Sequence, residues 1–349
     1  MVAFVTGASG FVGSAIVRLL IDRGEQVRVL LRAGSDQANL AGLDVEIAIG
    51  DLCDPASLAR AARGASSVYH AAADYRLWSR RDEEIFRSNV GGTDNVLRAA
   101  TEAGAKRIVY TSSVCTLGVH SDGVPADEDT PVCEKMMIGA YKLSKFQAEE
   151  KAREWVARGA PVVIVNPSTP IGPRDIKPTP TGLLVKQGAL GQMPAYVNTG
   201  LNFVHVDDVA AGHLLAHDKG RVGERYILGG YNLSLRSLLW LIADLVGRPP
   251  PEAEIPRLAI YPVAFVAEAI SRITGRAPLA TVNGVRLAKK LMYFTSAKAQ
   301  AQLGYSFRPL RETLYEAIAS FGVPLRGCRQ SADGLHRALA GPLLAESLT

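Results

Sequence analysis

Thr6-Gly7-Ala8-Ser9-Gly10-Phe11-Val12-Gly13 follows a β-rich apolar start and opens a segment in which Phe11, Val12, Ala15, Ile16, Leu19 and Leu20 share one helical face. A strand, a glycine turn and a helix in that order predict the first unit of a parallel sheet wound by helices. In that setting Gly7 permits the tight turn, Gly10 lets backbone approach a ligand, and Gly13 lets the helix pack close to the sheet. Free N–H groups and the helix dipole favour an anion at the helix start, so the pyrophosphate of a dinucleotide is the expected occupant.

The same alternation continues outward. Residues 2–6, 26–31, 45–49, 67–71, 107–112 and 161–166 read as strands separated by amphipathic helices. After Asn166 the chain turns Pro- and Gly-rich through Pro180, as a lobe boundary or substrate loop does. Strand signals return at 202–206 and 226–228, before helices at 235–246 and 310–321. The expected fold is α/β: a Rossmann-type doubly wound parallel sheet with a smaller, interleaved α/β substrate lobe. Residues 1–166 form the dinucleotide-binding domain, re-entered near 202–229; 167–201 and 230–321 form the lobe, and 322–349 a tail.

With 48% hydrophobic and 21% charged residues the chain is globular rather than disordered. Its net charge of +5 is spread without a basic block, which favours a phosphorylated small molecule over nucleic acid. Cys53, Cys115, Cys133 and Cys328 are too scattered to suggest a metal site or a disulfide framework, and reduced thiols fit a cytoplasmic protein. No basic n-region precedes the first strand, as a signal peptide would require. The apolar segment 258–274 carries Glu268 and Arg272 and reads as a lobe helix rather than a membrane span, with peripheral membrane contact left open.

The second strand ends at Arg32, where an NAD(H) site would place an acid for the ribose hydroxyls. Guanidinium pairs bidentately with phosphate, so Arg32, helped by Ser35, points to the 2′-phosphate of NADP(H). The alternative is a solvated surface arginine. Asp51 and Leu52 are placed to line the adenine pocket, though an Asp at a strand end is also ordinary.

Tyr141 and Lys145 stand one turn apart on a predicted helix. A neighbouring cation favours the phenolate and eases proton exchange; without further context the pair would be an ordinary surface pair. Context comes from Tyr110-Thr111-Ser112-Ser113, which ends the fifth strand at the ligand-binding edge of the sheet. Strand alternation sends Ser112 and Ser113 to opposite faces, and Ser113 is the expected cleft hydroxyl. Asn89, a mediocre helix former inside a predicted helix, is either a ligand for water near the lysine or a structural residue.

The glycine turn, Ser113, Tyr141 and Lys145, in this order, resemble the extended short-chain dehydrogenase/reductases over residues 1–321. Asn166-Pro167-Ser168 looks like the family's nicotinamide-contacting loop, and Val204-His205-Val206-Asp207-Asp208-Val209-Ala210 like its second-lobe motif. Ala72-Ala73-Asp74-Tyr75-Arg76-Leu77-Trp78, Asp175-Ile176-Lys177-Pro178-Thr179-Pro180-Thr181-Gly182 and Gly200-Leu201-Asn202 look like the hopanoid-associated sugar epimerases, beside dihydroflavonol-reductase-like enzymes. The resemblance implies hydride transfer, with Tyr141 exchanging the proton, Ser113 polarising the carbonyl, and Lys145 and Asn89 assisting. It also implies cofactor contacts at Gly7, Ser9, Gly10, Phe11, Val12, Gly13, Arg32, Ser35, Asp51, Leu52, Ala71, Ala72, Ala73, Thr111, Ser112, Tyr141, Lys145, Pro167, Ser168 and Thr169. A homodimer through faces near 85–96 and 141–156 is expected of the family.

Family dehydratases carry Asp-Glu after the catalytic hydroxyl; Val114 and Cys115 here disfavour dehydration. Arg32 tips the choice toward a reductase, with a redox-neutral epimerase as the alternative and a non-catalytic dinucleotide sensor as a remote one. A carbonyl or polyol substrate is expected to meet Tyr75, Arg76, Trp78, Lys177, Tyr196, Asn202 and Phe203. Lobe packing is the equal alternative for Tyr75 and Trp78. Asp207 and Asp208 read as helix caps and His205 as structural.

Overall fold

The computed structural model describes residues 2–326 except 77, 80 and 275–280. Leu77, Cys328 and the expected tail from 327 onward lie outside the described residues. Strands β1 (Val2–Thr6), β2 (Gln26–Leu31), β3 (Glu46–Ile49), β4 (Ala65–His70), β5 (Arg107–Thr111) and β6 (Val162–Pro167) build the large sheet. Strands β7 (Thr169–Ile171), β8 (Ala195–Tyr196) and β9 (Gly200–His205) leave it, and β10 (Arg225–Leu228) returns. Strands β11 (Tyr231–Ser234), β12 (Ala253–Glu254) and β13 (Leu291–Met292) stay outside. The large sheet is parallel throughout, in the order β10-β6-β5-β4-β1-β2-β3. Its order reverses beside β1, so a crevice opens above the carboxyl ends of β1 and β4.

The helices are α1 (Phe11–Asp22), α2 (Pro55–Ala62), α3 (Asp82–Phe86), α4 (Gly92–Glu102), α5 (Gly139–Ala157) and α6 (Pro180–Ala189). They continue as α7 (Val206–Lys219), α8 (Leu235–Val246), α9 (Arg257–Thr274), α10 (Val282–Leu287), α11 (Ala297–Leu303) and α12 (Leu310–Ser320). Strand residues alternate between two cores. Ala3, Val5, Val29, Val109 and Val163 pack on α1, α7 and α11, while Phe4, Ile108, Tyr110 and Ile164 pack on α2, α4 and α5. Burying each such large side chain contributes about 1.5–3 kcal/mol before entropy is counted. Local signals place the ends: Asp54 accepts N–H bonds from Ala56 and Ser57 ahead of Pro55, and left-handed Gly247 stops α8.

The strand expected at 202–206 does not rejoin the large sheet. It is β9, the middle of a small sheet with β11, β13 and β7, so the return to the large sheet is made by α7 and β10. Two- and three-residue partners such as β13 and β7 are too short to carry a period in sequence. Residues 323–326 dock rather than trail: Val323 is buried and Arg326 N–H donates to the Leu245 carbonyl.

Candidate active site

The glycine turn is held by contact. Gly7 has φ +74°, and a Cβ there would lie 2.6 Å from the Ala72 nitrogen; at Gly13 it would lie 2.1 Å from the Gly7 oxygen. No side chain larger than hydrogen fits either position. Helix α1 starts at Phe11 with no capping side chain and no acid in its first turn, which leaves its N-terminal amides suited to an anion. Asn39 donates to the Ser9 carbonyl at 3.1 Å and braces the turn from outside. The dinucleotide's other end has a candidate donor in the Ser168 hydroxyl, buried just after β6 without a partner among the described residues.

Arg32 is exposed one residue past β2, and its carbonyl accepts the Ser35 N–H at 3.0 Å in a turn carrying left-handed Gly34. Among the described residues its guanidinium makes no hydrogen bond or ion pair, though its charge helps lower the Asp74 carboxyl. Asp51 accepts the Cys53 N–H, and Leu52 packs against Gly92. Ala71 and Ala72 donate their N–H groups to the carbonyl and hydroxyl of Thr6.

Ser112 and Ser113 separate as alternation requires. The Ser112 hydroxyl turns inward to Glu149 at 2.5 Å, while Ser113 stays half-buried on the cleft side, its Oγ accepting the Cys115 N–H at 3.2 Å. Ser113 lies near the Tyr141 phenol and favours its ionised form, against the larger effect of burial. Lys145 is buried; its Nζ donates to the Thr111 carbonyl at 2.8 Å and to the Tyr110 hydroxyl at 3.3 Å. Burial is the largest influence on both groups, raising the Tyr141 phenol well above its ordinary range and lowering the Lys145 ammonium to about 8. The expected depression of the phenol by the neighbouring cation is absent: burial raises it most, the Cys115 thiol adds to that, and Ser113 alone opposes them.

Asn89 is positioned by a π-helical turn at Arg87–Gly91 and is buried. Its Oδ1 accepts the Asp74 N–H at 2.7 Å, and its Nδ2 donates to the Asp74 carbonyl and to Ser144 Oγ, both at 2.9 Å. With both amide hydrogens so used, Asn89 ties the segment after β4 to the catalytic helix instead of holding a water by the lysine. Tyr75 is exposed on that segment, and partial desolvation, helped by the charges of Asp175 and Asp74, raises its phenol. Trp78 is half-buried.

Four residues expected at the substrate lie elsewhere. Tyr196 and Phe203 are buried in the core of the small lobe with Ile171, Leu238 and Leu314. Asn202 is 1% exposed and latches the lobe by bonds to Asn232, to the Gly230 backbone and to the Phe294 carbonyl. Lys177 reaches Asp36 at 3.6 Å, beside the Arg32–Ser35 turn. The caps differ too. His205 itself caps α7 by accepting the Asp207 N–H, while Asp207 pairs with Arg174 and Asp208 with Arg308.

Sequence reading missed a buried polar network under the site. Glu149 Oε2 accepts from Ser112, Thr116 and Asn166, and Oε1 from Arg153 and Arg225. Burial raises the Glu149 carboxyl, but these donors together outweigh it and hold the carboxyl below its usual value. On the other side His70 bridges Thr6 at 2.7 Å and Thr93 at 3.0 Å, and stacks near Tyr110. Its burial drives the imidazole down to about 3, so it is neutral. The available signal was polar residues inside otherwise apolar strands.

The family model described as "NAD dependent epimerase/dehydratase family" matches residues 3–229. A Synechocystis protein provisionally named dihydroflavonol 4-reductase is 44% identical over 322 residues, 91% of this chain and 94% of that one. "Sterol demethylase protein B" of Methylococcus capsulatus is 34% identical, covering 92% of this chain and 98% of its own. The crystal structure of gox2253 superposes with a TM-score of 0.83 at 51% identity, covering 92% of this chain and 98% of that one. A glycine turn at the crevice and a hydroxyl–phenol–ammonium cluster beside it are thus found in a chain that belongs to the NAD dependent epimerase/dehydratase family, whose enzymes are NAD(P)-dependent oxidoreductases and epimerases.

Proposed function

We propose that this chain is an NADP(H)-dependent oxidoreductase that reduces a ketone or aldehyde of a sugar-, polyol- or flavonoid-like substrate, or oxidises the matching alcohol. The reading rests on Ser113, Tyr141 and Lys145 meeting at the carboxyl end of β5. When bound, the nicotinamide supplies the hydride. Ser113 donates its hydroxyl hydrogen to the substrate oxygen, and Tyr141 passes its phenolic proton to the same oxygen as charge develops there. A phenol kept protonated by burial is suited to act as an acid, which favours reduction. Lys145, held by Thr111 and Tyr110, supplies the positive charge that stabilises the phenolate left behind.

Arg32 and Ser35, on the turn after β2, support NADP(H) over NAD(H), and Lys177, paired with Asp36 just beyond that turn, adds a second cation to the same region. The relative's name, dihydroflavonol 4-reductase, supports a reductase. The family description supports a second reading, a redox-neutral epimerase; that it would be a sugar epimerase of the hopanoid-associated kind rests on the sequence motifs alone. Val114 and the buried Cys115 offer no carboxylate for dehydration. The reading includes a homodimer through the helical faces near 85–96 and 141–156, which light scattering tests.

Denaturing the purified protein and assaying released nucleotide, then following NADPH absorbance with a panel of carbonyl compounds, separates the two readings. An exchangeable cofactor consumed in proportion to substrate is the expected result. A retained dinucleotide with no net consumption would make the chain an epimerase.

A further inference from the structure

The outer face of α9 is apolar along its length. Leu258, Val263, Phe265, Val266 and Ile270 are 81%, 60%, 59%, 59% and 54% exposed, and exposed Ala259, Pro262 and Ala269 lie among them. At 100° per residue these positions share one arc of about half the helix circumference. The opposite arc, with Ile260, Tyr261 and Ala264, packs on Val282 and Val285 of α10. Glu268 is turned away and accepts the Val282 N–H at 2.8 Å. No described helix is long and apolar enough to cross a membrane. An uncovered apolar patch of this size marks an interaction surface.

Charge selects the occupant. Arg286, Lys289 and Lys290 follow directly on and after α10, and none of their side chains makes a hydrogen bond or ion pair with a described residue. Arg257 at the start of α9 donates to the Ala288 carbonyl at 3.2 Å, which fixes this basic segment against the helix. Exposed Glu252 and Glu254 lie ahead of α9, off its outer face. An apolar helix face with cations on the helix packed behind it matches an interfacial helix whose apolar side enters the acyl layer while its basic side meets anionic headgroups. A two-fold dimer through the same face would gather like charges.

The face also adjoins the site. A Cβ at Gly139, two residues before Tyr141, would lie 3.3 Å from Asn283 of α10, so the α9–α10 pair stands at the start of the catalytic helix. We propose that the outer face of α9, with Arg286, Lys289 and Lys290, docks on an anionic lipid bilayer and presents the cleft to carbonyl substrates dissolved in it. The substrate clause rests on the reductase reading; the docking does not.

The test is flotation of the full chain with phosphatidylcholine vesicles, with and without phosphatidylglycerol, in the absence of cofactor and substrate. Wild type should float with the anionic vesicles and be released by salt. Val266→Glu with Ile270→Glu should cut bound protein about tenfold or more, leaving NADPH turnover of a water-soluble carbonyl unchanged. Lys289→Glu with Lys290→Glu should remove the preference for anionic lipid. No flotation with either vesicle overturns the proposal, as does undiminished flotation of the Val266/Ile270 variant. A wild-type dimer that this variant dissociates, with no vesicle binding, assigns the face to a second copy and overturns it too. Failure here leaves NADPH consumption, and the reductase reading, untouched.

Discussion

The Lys145 ammonium stands 3.3 Å from the Tyr110 hydroxyl and 4.9 Å from the centre of that ring. Burial lowers the lysine to about 8, so its charged form is the one folding disfavours. The stability cost is full below about pH 8 and fades as pH rises toward the ordinary lysine value. Turnover needs the ammonium, so kcat/KM for reduction should fall as pH rises through about 8. Tyr110→Phe removes an acceptor that favours the charged lysine and should move this limb to lower pH. Superimposable pH–rate profiles for the two proteins would separate Tyr110 from the reaction.

Tyr141→Phe keeps the ring packing and loses the transferable proton. Turnover should fall by about 10²–10⁴-fold with NADPH affinity unchanged in a fluorescence titration. Ser113→Ala should lower kcat in the same direction. Wild-type activity in Tyr141→Phe would remove that phenol from the mechanism.

Arg32→Asp replaces a candidate phosphate partner by a like charge. NADPH should bind about 10- to 100-fold more weakly, with little change for NADH, as the loss of a charge-assisted bond implies. Lys177→Ala should shift the same ratio less, because its pair with Asp36 is largely exposed. Equal losses for both cofactors would show that neither cation reads the 2′-phosphate.

Glu149→Ala strands the buried donors of Ser112, Thr116 and Asn166, and leaves Arg225 and the more exposed Arg153 without this partner; it should cost about 3–5 kcal/mol in urea unfolding. Glu149→Gln should cost less. The folded carboxyl lies below its ordinary value, so its contribution is present above that value and is lost as pH falls through the folded one. Unchanged stability of the alanine variant at neutral pH would show that the network is not a support for the Ser113 loop.

The large sheet was legible because its signals are local. Strand runs, the glycine turn and the i, i+4 spacing of Tyr141 and Lys145 each lie within a few neighbours, and the Ser112/Ser113 choice followed from two-residue alternation alone. The small sheet was not, since β7 and β13 exist only through pairing with β9.

By itself the sequence determined the order of strands and helices, the anion-ready turn and the spacing of the candidate reactive side chains, all set by backbone sterics and short-range periodicity. Tertiary structure alone decided where side chains of similar chemistry went. Tyr196 and Phe203 entered a core, Lys177 met Asp36, and Asn89 tied down Asp74 from 15 positions away. Such placements depend on which distant surfaces bury one another, and the gain from that burial against the entropy of closing the loops between them is a property of the whole fold.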